Sequence, residues 1–109
     1  MQAFVATEVT APDQTSLDNG EGWLHFRWPD PMFGHESLTI QLDGHCSRRM
    51  PIRSGFGLKS VELLRDRILL SFERSLAEKL ALDDHVEIAF HISDADFDRL
   101  QQTVSTHLA

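Results

Sequence analysis

An α+β fold is predicted by the sequence: a single domain in which a mostly antiparallel sheet carries a short helix and a C-terminal amphipathic helix packed on it. Three stretches lead to it. Val61 and Leu63, then Ile68, Leu70 and Phe72, alternate with polar or mixed positions on either side of Arg65-Asp66, which describes a hairpin. Leu76, Ala77, Leu80 and Ala81 then switch to helical spacing, and Val86, Ile88, Phe90 and Ile92 return to the alternation of a strand. Phe97, Leu100, Val104 and Leu108 finally recur at intervals of three and four, an apolar stripe that a short helix has to bury against a sheet to be stable.

From the N-terminus, residues 4–9 are expected as the first strand and residues 12–22, rich in Asp, Ser, Asn and Gly, as an exposed loop with little packing. Residues 23–28 read as an aromatic strand with Leu24, Phe26 and Trp28 toward the core and Trp23, His25 and Arg27 on the other face. Pro29-Asp30-Pro31 is expected to break that strand, since each proline removes a donor and restricts the residue before it. Leu38, Ile40 and Leu42 form another strand ending at Asp43-Gly44, and residues 45–52 follow as a partner strand or an irregular edge that Pro51 keeps out of the sheet centre.

The glycines of Ser54-Gly55-Phe56-Gly57 permit a turn or a close backbone approach; the order and the long following helix of a dinucleotide-binding loop are absent. Arg65-Asp66 lacks the glycine of a two-residue primed turn, so a slightly longer loop stays open. Ser75 with Glu78 matches a capping box for the short helix, and Ser93 caps the last one, with Asp94, Asp96 and Asp98 at the positive end of its dipole.

The 109 residues suit one domain with one core, and 41% hydrophobic residues are too many for wholesale disorder. Seventeen acidic against ten basic residues give a net charge of −7, which disfavours nucleic acid and favours encounter with a basic partner. Cys46 is the single cysteine, so no internal disulfide forms; a buried, inert thiol and a reducing compartment fit it best. No signal peptide and no apolar span of membrane length are visible, and cytoplasmic residence without membrane contact is the expectation.

Reactive residues do not assemble into a recognised site. His35, His45 and Cys46 lack the paired spacing of a zinc centre, and Cys46 and His45, as strand neighbours, point to opposite faces. No metal, cofactor or catalytic residue is therefore expected. Arg48, Arg49 and Arg53 are the one basic cluster, able to grip a phosphate or a carboxylate if not simply solvated. The aromatics Trp23, Trp28, Phe33 and Phe56 read mostly as core candidates; candidate partner contacts are the acids Asp13, Asp18 and Glu21 together with Phe33 and Phe56, whose glycine and proline contexts also suit exposed anchors.

Ser54-Gly55-Phe56-Gly57-Leu58, Ser60-Val61-Glu62-Leu63 and Arg67-Ile68-Leu69-Leu70 resemble the immunity-protein family numbered ten of bacterial polymorphic toxin systems. Ala77-Glu78-Lys79-Leu80, Val86-Glu87-Ile88-Ala89-Phe90 and residues 94–100 are similar to that family's closing helix, strand and helix, with a weaker echo in Leu38-Thr39-Ile40-Gln41. Phe56 stands where the family often carries tyrosine. The resemblance covers the C-terminal half and implies a non-enzymatic protein that binds and neutralises a cognate toxin. Two other classes stay open: a small-molecule-binding or catalytic domain using His25, His35 or His91 in a pocket, and a structural homodimer.

Overall fold

The computed structural model describes residues 1–49 and 53–108, and the fold is α+β. Nine strands divide between two sheets among the described residues. One, in the order β1-β9-β8-β7, comprises β1 (Gln2–Val5), β7 (Leu58–Leu63), β8 (Arg67–Phe72) and β9 (His85–Ala89). The other, in the order β2-β3-β4-β5-β6, comprises β2 (Glu8–Thr10), β3 (Trp23–Asp30), β4 (Gly34–Gln41), β5 (Cys46–Arg48) and β6 (Arg53–Gly55). All pairings are antiparallel except β1 with β9. Three helices complete the described chain: α1 (Gln14–Asp18), α2 (Arg74–Leu80) and α3 (Asp94–Thr103), the last running into a π-helical turn at Val104–Leu108.

The single strand expected over residues 4–9 is two strands in two sheets. Ala6 N donates to Ala89 O in the first sheet and Thr7 N to Arg27 O in the second, both at 2.8 Å, so consecutive amides serve different ladders and the chain changes sheet between them. Phe4 stacks on Trp28 across this junction with ring centroids 4.3 Å apart. The core is continuous through both sheets: Leu24, Phe26, Leu38 and Ile40 from one, Ile68, Leu70, Val86 and Ile88 from the other, and Leu76, Leu80 and Leu100 from the helices share one cluster. Each such side chain contributes roughly 1.5–3 kcal/mol relative to an exposed position.

The loop expected over residues 12–22 contains α1. Asp13 caps it by accepting from Ser16 N at 2.8 Å, and Leu17 is buried, contrary to the expectation of little packing. Pro29 does not end β3, which continues to Asp30. Arg27 O faces β2, so by alternation the ring nitrogen of Pro29 points the same way, past the end of that short strand, where no ladder donor is needed. Asp30 then organises the turn, its carboxylate accepting from the amides of Met32 and Phe33. β4 stops at Gln41, leaving Leu42 outside it, and Pro51 lies outside the described residues.

In the C-terminal half the hairpin has the tight connection, with Leu64 N donating to Arg67 O at 2.8 Å around Arg65-Asp66. The capping box at Ser75 and Glu78 is absent: the cap lies two residues earlier, at Glu73, which makes no side-chain hydrogen bond, and α2 begins at Arg74. Gly57 lies against this helix: Glu73 N donates to Gly57 O at 2.7 Å, and with φ at +136° an added Cβ would come within 2.9 Å of Leu76 Cβ, so the glycine pair does serve a close approach, between the β6–β7 connection and α2. Ser93 caps α3 as expected, accepting from Asp96 N.

The five-stranded sheet is also tied to α2 by charge. Arg48 Nη1 donates to Leu80 O and Ala81 O at 3.1 and 2.9 Å, satisfying carbonyls at the end of α2, while its Nε lies 3.4 Å from the buried carboxylate of Glu36. That Nε is near enough for an ion pair but not aligned for a hydrogen bond.

Candidate partner-binding surface

Strand register collects three connections at one end of the five-stranded sheet. Thr10 pairs with His25, so residues 11–22 leave and re-enter the sheet beside Trp23. Trp23 pairs with Gln41, Gln41 N donates to His45 O at 2.8 Å across the β4–β5 turn, and Cys46 pairs with Gly55, which brings Phe56 alongside. The rings of His45 and Phe56 meet edge to face with centroids 5.1 Å apart. Four of the five expected contact residues, Asp13, Asp18, Glu21 and Phe56, therefore share this end. Phe33 does not: it sits on the β3–β4 turn at the far end of the same strands, roughly 20 Å away at the usual rise per residue.

At the centre stands Trp23, which sequence reasoning placed on the outward face of β3 without making it a contact residue. It is 53% exposed, and its neighbours explain why it is held there. A depression of about 340 Å³ opens on one side between Trp23, Pro12, Asp13, Ser16 and Glu21; a second of about 340 Å³ opens on the other between Trp23, Glu21, Gln41 and Asp43. Gly22 makes the first possible, since its φ is +113° and a Cβ there would meet Pro12 Cβ at 2.7 Å. Asp43 was legible only as a turn former, and its carboxylate does hold the turn by accepting from His45 N.

The rim is acidic and rigid. Hydrogen bonds from the Ser16 amide, and then from its hydroxyl, hold the Asp13 carboxyl below the ordinary carboxylate value, aided by the charge of Arg99. Asp18 accepts from Gln14 Nε2 at 2.7 Å, and Gln14 is joined in turn to Gln102 of α3. Among the described residues Asp13, Asp18, Glu21 and Asp43 form no salt bridge, and Arg99 is the one cation that acts on Asp13 from a longer distance, so acid predominates around an exposed indole.

Little here suits bond-making chemistry. Burial, with the charge of Asp43, pushes the Cys46 thiol up to about 12, and its Sγ lies 3.5 Å from Gly44 O. His25 and His35 share the solvent face of the five-stranded sheet, while His91 is exposed beyond β9, so the three do not line a common pocket. No group of three or more His, Cys, Asp or Glu among the described residues is placed to hold a metal ion, and no helix among them is long and apolar enough to cross a membrane.

No protein-family model, no curated protein and no solved structure matches the chain. The resemblance to the immunity family rests on the sequence motifs alone.

Proposed function

We propose that this chain is a non-enzymatic binding protein that neutralises a basic toxin domain, docking it on the end of the five-stranded sheet around Trp23. One observation carries the reading: a half-exposed tryptophan set between two depressions lined by Asp13, Glu21 and Asp43, with Asp18 nearby on α1. Tryptophan is the side chain most often found at the energetic centre of interfaces, and unpaired carboxylates around it favour a cationic partner. A lysine or arginine of the partner entering either depression meets the indole face and a carboxylate together. The single, buried cysteine suits cytoplasmic residence, where a protective protein would meet its toxin.

The test is co-expression with the C-terminal toxin domain encoded by the adjacent gene. Protection by the wild type and loss of protection in Trp23→Ala support the reading. No protection by the wild type refutes neutralisation, and full protection by Trp23→Ala moves the contact to another face.

A further inference from the structure

The outer face of the five-stranded sheet holds a group of cations that the Trp23 surface does not use. Alternation against Leu24, Phe26 and Trp28 turns His25 and Arg27 outward on β3; pairing sets Thr39 beside His25 and Ser37 beside Arg27. On the other flank of β4, Arg49 N donates to Ser37 O at 3.3 Å, and the Arg49 side chain reaches His35 Nε2. Arg27 and Arg49 thus leave the sheet on either side of Ser37, with His35 next along β4. His25 Nδ1 lies 2.9 Å from Thr39 Oγ1.

Balancing charge is sparse. Glu8 of β2 lies 3.7 Å from Arg27, and Glu36 of β4 is buried toward Arg48 on the opposite face. Both imidazoles are held below their ordinary value. For His25 burial is the largest cause, opposed by Glu8 and joined by Arg27 and Arg49; for His35 burial is joined by Arg27 and Arg49, opposed by Glu36, with His25 adding slightly. Two imidazoles thus stand beside two guanidiniums on one sheet face, with Glu8 the carboxylate nearest Arg27.

We propose that this face binds a phosphate group between Arg27 and Arg49, with His25, His35 and the hydroxyl of Thr39 as further donors. Guanidinium forks match tetrahedral oxyanions, and an anion there favours the charged imidazoles, so binding takes up protons. The site shares the outward face of β3 with Trp23, starting two residues along at His25, but it uses other side chains and its test does not depend on the proposed toxin contact.

The experiment is an NMR titration of the full chain, following the His25 and His35 ring signals against sodium chloride at equal ionic strength. Inorganic phosphate and glycerol phosphate at about pH 7 are the two arms; sulfate, whose charge is constant there, is compared at about pH 6 and 8 to isolate the imidazoles. Saturable shifts at both histidines are expected, with Arg27→Gln and Arg49→Gln each weakening binding by about tenfold or more and Arg74→Gln on α2 leaving it unchanged. Sulfate should bind at least about threefold tighter at the lower pH. Tighter binding of glycerol phosphate assigns the site to a phosphorylated small molecule, and equal or weaker binding assigns it to free phosphate. Shifts that match chloride, or that Arg74→Gln reduces as much as Arg49→Gln, overturn the proposal.

Discussion

Cys46 and Trp23 sit at the same end of the same sheet and have opposite fates, decided by which way each faces. Cys46 is fully buried and its thiol is pushed up to about 12, first by burial and then by Asp43. It should therefore resist iodoacetamide at about pH 8 in the native protein and react at the rate of a free thiol once urea unfolds the chain. Rapid native labelling would show that the β4–β5 turn opens readily. Phe90, just beyond β9 and 6% exposed, is the residue test of the first sheet. Phe90→Ala should cost about 3–5 kcal/mol in urea unfolding, and a loss below about 1 kcal/mol would contradict its placement in the core. Side chains like these were legible because alternation is local: Leu24, Phe26, Trp28, Ile68, Leu70, Val86 and Ile88 need only their immediate neighbours to declare a face. Trp23 was half legible. Its face followed from the same alternation, but its exposure depends on what covers that face, and nothing in residues 23–28 says that α1 and the β4–β5 turn stop short of it.

At the scale of elements, the sequence misled where a short piece owes its form to distant contacts. Five residues are far too few for a stable isolated helix, so α1 exists through its Asp13 cap, the burial of Leu17 and the link from Gln14 to Gln102, of which only the cap is local. The break between β1 and β2 is equally invisible, because Ala6 and Thr7 carry no turn signal and are parted by their partners, Ala89 and Arg27. The cap of α1 has a pH signature. The Asp13 carboxyl titrates lower folded than unfolded, so its contribution is present above the unfolded value and is lost as pH falls through the folded one. Hydrogen exchange at the Ser16 amide should accordingly lose protection below about pH 4 in the wild type. In Asp13→Asn, where an uncharged oxygen still caps, that protection should not change over the same range. Arg48 tests the joint between β5 and α2. Arg48→Met removes two donors from the carbonyls of Leu80 and Ala81 and a guanidinium from beside buried Glu36, and should cost about 3–5 kcal/mol in urea unfolding. A cost under about 1 kcal/mol would mean that apolar packing alone seats the helix.

For the whole molecule, the α+β class was legible in the C-terminal half, where hairpin, helix, strand and helix follow one another with clear changes of period. The division into two sheets was not, since periodicity tells a strand which face to bury but not which strand to join. The expected contact residues fared the same way: Asp13, Asp18, Glu21 and Phe56 meet only because Trp23 pairs with Gln41 and Cys46 with Gly55. With one continuous apolar core and no described metal-ligand group, EDTA should leave the melting temperature unchanged; a fall on chelation that zinc restores would reveal a bound ion. The proposed function rests on the distribution of charge, since carboxylates that form no salt bridge gather around an exposed indole. Asp13→Asn, Asp18→Asn and Glu21→Gln together should slow association with a basic toxin at low salt, with the difference shrinking as the Debye length falls to about 8 Å at physiological ionic strength. The most direct measurement is the affinity of purified Trp23→Ala for the toxin domain, taken beside its urea midpoint to show that the fold is intact. Binding weakened by about 2 kcal/mol or more, roughly thirtyfold, is expected of an anchor at the centre of the contact. Wild-type affinity in a folded Trp23→Ala would contradict a binding surface at this end of the sheet.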